Sequence, residues 1–185
     1  MNRVEHLLKK YTSWVAAPWA RGLAGPQKVW CVVYEPADER RLRLRLEDFG
    51  TATQSHGHGW RCCDVTDAFA EWMSALDYRD SYFESPEDLN KSLLGDFLQF
   101  TARKVVEQLQ AVGDSDVVAV AGIGSLFGFA FASELMKAVD IAIRGRMLIF
   151  FPGVYDNNNY RLFDARDGWN YLAVPITVGE GELGA

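Results

Sequence analysis

Three stretches of this 185-residue chain combine residue types and spacings suited to chemistry. The first is Gly122-Ile123-Gly124-Ser125-Leu126-Phe127-Gly128. Glycines that open a helix after a strand let backbone N–H groups approach an anion, which makes Gly122, Gly124 and Ser125 a candidate anion-binding turn. The spacing is one residue off the dinucleotide fingerprint. No acid-bearing second strand falls about 20 residues on, and no Lys-Ser or Lys-Thr follows the glycines as in a phosphate loop. A tight strand-to-helix turn is therefore the leading reading. The alternative is a degenerate P-loop-like nucleotide-binding domain using residues 122–128.

The second stretch places His56 and His58 shortly before Cys62 and Cys63, all with ligand-type atoms for zinc. The paired C-x-x-C or H-x-x-x-H spacing is missing, and adjacent cysteines on a strand point to opposite faces. A loop beside a buried strand is the expectation, with no metal and no cofactor assigned. The chain's three histidines, the lack of a G-x-S-x-G elbow and the want of a base for Ser125 argue against a hydrolase triad. No catalytic residue is assigned.

The third stretch is basic: Arg40, Arg41, Arg43 and Arg45, with Lys9, Lys10 and Arg21 as further cations for an anionic contact. Glu39, Glu47 and Asp48 lie among them, so a solvated, salt-bridged face is the stronger reading. The chain carries 19 Lys+Arg against 25 Asp+Glu, a net charge of -6, and direct nucleic-acid binding is not expected. Asp64, Asp67, Asp114, Asp116, Asp164 and Asp167 stand near element ends, where caps and turns account for them. Trp14, Trp19, Trp169, Tyr78, Tyr82 and Phe83 fall in polar or chain-end surroundings, and exposed aromatic side chains are favoured anchors at protein interfaces.

The elements that position these residues follow from periodicity. His6-Leu7-Leu8 with Tyr11, Trp14 and Val15 predicts an amphipathic helix ending before Pro18. Residues 28–34 form an apolar run closed by Pro36, a buried central strand. Residues 38–49 alternate leucine with arginine yet favour helix by content. Residues 50–59 are expected to be a loop and 60–64 a second strand. Val65, Phe69, Trp72, Met73 and Leu76 share one helical face capped by Asp64 or Thr66. Ser85-Pro86-Glu87-Asp88 predicts the start of a helix reaching about Gln110. Residues 117–121 are apolar throughout, as in a strand covered on both faces. A helix from about 126 to 143 and a strand over 147–151 then complete a βαβ unit. Pro152-Gly153 ends that strand, Asp156-Asn157-Asn158-Asn159 forms a turn, and 171–176 supplies a fifth strand near an edge.

The sum is an α/β fold, a three-layer sandwich with a mainly parallel sheet of about five strands flanked by helices. It is expected as a single domain over residues 1–178 with a flexible C-terminal tail over 179–185. No secretory or membrane-spanning pattern occurs, and Cys31, Cys62 and Cys63 cannot all pair, so a cytoplasmic protein with reduced thiols is expected.

One larger pattern crosses these elements. An apolar strand leads into Gly122-Ile123-Gly124, then comes a helix with Leu135. Phe150-Phe151-Pro152-Gly153-Val154-Tyr155 follows, then a short turn, Leu162-Phe163, and Tyr171-Leu172-Ala173-Val174-Pro175-Ile176. This resembles the BrxB family, a component of the BREX bacteriophage-exclusion systems of bacteria. The earlier part agrees in layout, with an N-terminal helix, a strand ending in Val33-Tyr34-Glu35-Pro36 and a charged helix. The resemblance implies a non-enzymatic adaptor or scaffold in an anti-phage complex. Its implied partner is PglZ, an alkaline-phosphatase-like component, and other BREX components come within reach. Within the motif Tyr155 is read as packing back on the sheet, and Arg161 either pairs with Asp164 or faces a partner. Tyr155, Arg161 and Trp169 are the candidate partner-binding residues.

Overall fold

Val29–Tyr34 (β1) is apolar and buried at every position, because the strand lies inside a sheet covered on both faces. In a computed structural model describing residues 1–163 and 169–179, it pairs in parallel with Arg146–Asp156 (β4) on one side and Val174–Ile176 (β7) on the other. Val117–Ala121 (β3) pairs in parallel with β4, and Trp60–Asp64 (β2) with β3, giving the order β2-β3-β4-β1-β7. Asn159–Leu162 (β5) runs antiparallel to β4, and Trp169–Asn170 (β6) antiparallel to β5.

Helices cover both faces. Arg3–Ala16 (α1), Glu39–Arg43 (α2) and Leu46–Ser55 (α3) pack with Trp30, Val32, Tyr34, Ala119, Leu148 and Phe150. Asn2 and Glu5 form the capping box that starts α1, and Val4, Leu7, Tyr11 and Val15 make its buried stripe. The opposite face holds Ala68–Ser74 (α4), Lys91–Gln110 (α6) and Ala132–Val139 (α7), packed on Val29, Cys31, Val118, Val120, Met147 and Ile149. Arg79–Glu84 (α5) lies between α4 and α6.

Several expectations are corrected. The sheet is mixed and has seven strands rather than about five: the order β2-β3-β4-β1-β7 is parallel throughout, and β5 and β6 are added antiparallel because β4 does not stop at Pro152-Gly153. Its partner on the β1 side ends at Tyr34, opposite Pro152, and its partner on the β5 side begins at Leu162, opposite Gly153. Proline sits where the ladder changes sides, and only its carbonyl is used, accepting from Phe163 N at 2.9 Å. The expected loop over 50–59 is helix as far as Ser55, since Gly50 and Thr53 face the core and the Thr53 hydroxyl lies 2.5 Å from the Tyr11 hydroxyl. Ser85-Pro86 opens only a three-residue 3-10 turn. The cap of α6 is Asn90, whose side chain accepts from Ser92 and Leu93 N–H at 3.0 and 3.2 Å. The helix expected over 126–143 shrinks to α7, because Gly128 at φ +85° interrupts it. The fifth strand expected over 171–176 is reduced to β7, at the end of the parallel order beside β1, where Pro175 is tolerated. Asp164, Asp167 and residues 180–185 of the expected tail lie outside the described residues.

Phe49 is fully buried between the rings of Tyr11 and Phe150, at centroid distances of 5.3 and 5.0 Å. Phe49→Ala is expected to cost about 3–5 kcal/mol of stability, read as a lowered midpoint in urea unfolding.

Candidate interaction surface

In a parallel α/β sheet, ligands bind beyond the carboxyl ends of the strands. A network of paired charges occupies the ends of β1 and β2. The Tyr34 hydroxyl donates to Glu39, and the Arg43 guanidinium donates to Glu39 at 2.7 Å, to Asp64 at 2.9 Å and to the Thr66 hydroxyl at 2.6 Å. Asp64 also accepts from the Thr66 hydroxyl and from Thr66 N–H, the latter at 2.9 Å. Burial pushes the Asp64 carboxyl up, but the Thr66 hydrogen bonds and the Arg43 guanidinium outweigh it and hold it below the ordinary carboxylate range. Burial and the neighbouring Glu39 raise the Tyr34 phenol. Arg41 pairs with Asp38 at 3.0 Å, and Arg45 with Asp48 and Glu5 at 2.9 and 3.1 Å. The basic stretch is thus a salt-bridged face in which Arg43 joins α2 to the end of β2, and Asp64 serves a turn rather than capping α4.

The Gly122 turn closes against this network. Gly122 has φ +85°, and a Cβ there would stand 2.4 Å from the Thr66 hydroxyl and 2.7 Å from Asp64 Oδ1. Beyond it comes a 3-10 turn, Ile123–Leu126, rather than an α-helix N-terminus. The Ser125 hydroxyl faces the Val65 and Gly122 carbonyls at 3.0 and 2.8 Å, and the Phe163 ring fills the space where a Gly124 Cβ would project. Gly122, Gly124 and Ser125 come together, but the serine hydroxyl points inward and a carboxylate stands at the turn.

The histidines and cysteines separate. His56 Nδ1 lies 2.7 Å from the Ala52 carbonyl at the end of α3. His58 stacks on Trp19 at 3.9 Å, with Nδ1 2.8 Å from the Ser115 carbonyl. Cys62 is exposed and Cys63 buried. Although one side of Cys62 meets water, burial of the rest of its side chain, with Asp64 nearby, pushes the thiol up to about 11, away from the thiolate that a metal or nucleophile needs. Among the described residues no group of three or more His, Cys, Asp or Glu is placed to hold a metal ion.

Past Pro152 the chain makes an arm. Asn157 and Asn158, at φ +48° and +62°, turn β4 into β5 with both central residues left-handed, as a tight hairpin requires. Val154 opposes Arg161, and Tyr155 opposes Tyr160, so alternate residues face opposite sides. On the inner side Tyr155 lies 4.6 Å from Tyr160, whose hydroxyl donates to the Ala173 carbonyl at 2.9 Å. Trp169 lies 5.3 Å from Tyr160 and 6.2 Å from Phe151. Val154 and Arg161 are exposed on the outer side. Tyr155, Arg161 and Trp169 are therefore not on one face: the tyrosine and tryptophan are half-buried supports, and the arginine points outward. Gly153 permits the arm, since a Cβ there would fall 2.0 Å from the Arg161 carbonyl oxygen.

Beside the arm lies a feature that the sequence reading missed. Phe127, Phe129 and Phe131, in the connection from β3 to α7, are 47%, 37% and 70% exposed. Phe129 stacks on Phe69 at 4.0 Å, and Phe127 meets Phe163 edge-on at 5.3 Å, tying the loop to the hairpin. Read as the start of a helix, Phe-Gly-Phe-Ala-Phe hid its exposure; its signal was the glycine between phenylalanines. Of the six aromatic residues expected at the surface, Trp14, Tyr78 and Phe83 are exposed, while Trp19, Tyr82 and Trp169 are half-buried.

A family model described as BREX protein BrxB matches residues 65–176. The chain belongs to the BrxB family. Membership makes it a component of a BREX system in phage defence. The matched span holds the Gly122 turn, the phenylalanine loop and the hairpin arm. No curated protein and no solved structure matches the chain. Among the described residues no helix is long and apolar enough to cross a membrane.

Arg43→Ala removes three hydrogen bonds from the strand-end network and is expected to cost about 1–2 kcal/mol at neutral pH. Because the Asp64 pKa is depressed on folding, its contribution is present above the unfolded value of about 3.9 and is lost as pH falls through the folded value. Acid unfolding followed by circular dichroism is thus expected to show a shallower loss of stability below about pH 4 in Arg43→Ala than in wild type.

Proposed function

We propose that the chain is a non-enzymatic adaptor of a BREX complex, acting in the cytoplasm by protein–protein contact with an alkaline-phosphatase-like PglZ protein. The observation that carries this reading is the exposure of Phe127, Phe129 and Phe131 at the carboxyl end of the sheet. An α/β enzyme keeps converging polar groups there. Here three phenyl rings face water, and apolar surface of that kind contributes about 25 cal/mol per Å² when a partner covers it. The charges of the strand-end network are already committed to one another, which leaves Arg161, exposed two residues before the Phe163 that meets Phe127, as a polar contact for the partner. Tyr155 and Trp169 support that hairpin from beneath and act on the partner through its position.

Co-expression with the PglZ-like protein and size-exclusion chromatography with mass determination at about 0.15 M salt tests the reading, because weak exposed charge pairs are screened there. A co-eluting complex is expected. Phe131→Ser with Arg161→Glu is expected to weaken it at least about tenfold while leaving the melting temperature unchanged. Separate peaks for the wild-type chain would overturn the partner. In that event, a melting temperature raised by millimolar ATP or GTP with magnesium would favour nucleotide binding at Gly122, Gly124 and Ser125.

A further inference from the structure

Residues 77–88 join α4 to α6 as an excursion from the body. Leu76, Tyr82 and Leu89 are partly buried against the core, whereas α5 contains no buried residue. Tyr78 and Phe83 turn outward, 76% and 68% exposed. The same stretch carries Asp77, Asp80, Glu84, Glu87 and Asp88 against a single cation, Arg79, so four of the chain's six net negative charges gather here. Asp80 has an ion pair with the adjacent Arg79 at 3.8 Å. Asp77, Glu84, Glu87 and Asp88 have none among the described residues.

Two costs therefore coincide on a short segment. Aromatic surface stands in water, and carboxylates repel one another within a Debye length of about 10 Å. One kind of occupant relieves both, because an arginine guanidinium stacks on a ring face and pairs with carboxylates at once. A divalent cation does not fit, since among the described residues no three ligating side chains converge. Nucleic acid meets a field of its own sign.

We propose that residues 77–88 form a docking ridge for an arginine-rich segment of a partner protein, with Tyr78 and Phe83 stacking on guanidinium groups and the five acids pairing with them. The inference rests on the adaptor reading, which calls for two contact faces. The ridge is separate from the phenylalanine loop along α4: Phe69, on which Phe129 stacks, lies in the first turn of that helix, and the ridge begins after its last.

The test is fluorescence anisotropy of a labelled peptide alternating arginine with leucine and glycine, titrated with the full chain at about 0.05 M salt. Saturable binding is expected. Tyr78→Ser with Phe83→Ser keeps every charge and is expected to weaken binding about tenfold, since stacking on two rings is removed. Asp80→Lys with Glu84→Lys and Glu87→Lys is expected to abolish it. All five side chains are exposed, so melting temperatures are expected to stay at the wild-type value. No binding, or binding of equal strength in the ring variant, overturns the inference. A wild-type dimer in light scattering that dissociates on charge reversal also overturns it, by making a second copy of this chain the occupant. Peptide binding without a PglZ complex would sink only the partner assignment, and a complex without peptide binding only the ridge.

Discussion

The structure depends on one strand changing partners. β4 spends its first half between β3 and β1, its buried residues locking the centre of the sheet, and its second half against β5. At Pro152 the chain has no N–H to offer, and at Gly153 it has no side chain to obstruct the crossing of Arg161. Those two residues let a single extended segment serve both as core and as the root of an exposed arm. Aromatic contacts then carry rigidity outward, from Phe151 to Tyr160 and Trp169, and from Trp169 to Tyr171.

The carboxyl ends of the strands, where an α/β fold ordinarily receives a small molecule, are arranged differently. Arg43 satisfies two carboxylates and a hydroxyl from separate elements, and Gly122 lets the end of β3 close against them. The polar groups are used to hold the loops, and the phenyl rings of the β3–α7 connection are displayed instead. Such a surface sets apolar area beside polar groups, a composition shared with protein interfaces.

Elements covered on both faces were legible in the sequence, because burial forces an unbroken apolar run: Val29–Tyr34 and Val117–Ala121 are of this kind. The Asn157-Asn158 turn was legible because its backbone conformation restricts the residue types. What escaped is what tertiary contact decides. Gly50 and Thr53 look like loop residues until a helix needs small side chains against a core. Arg43 and Asp64 are 21 residues apart, and no local pattern announces their meeting. β5 and β6 are four and two residues long, too short for an alternation to register. The phenylalanine loop was hidden by its own composition, since apolar residues ahead of a helix are ordinarily counted into it.

The strand switch at Pro152 also separates two kinds of register. Pairing on the β1 side stops before pairing on the β5 side starts, so a residue gained or lost at the Asn157-Asn158 tip shifts nothing in the parallel ladder. A change in the length or the outer-face residues of the hairpin is therefore uncoupled from the packing of the interior. The molecule thereby joins a fixed body to an appendage that can be altered without disturbing it.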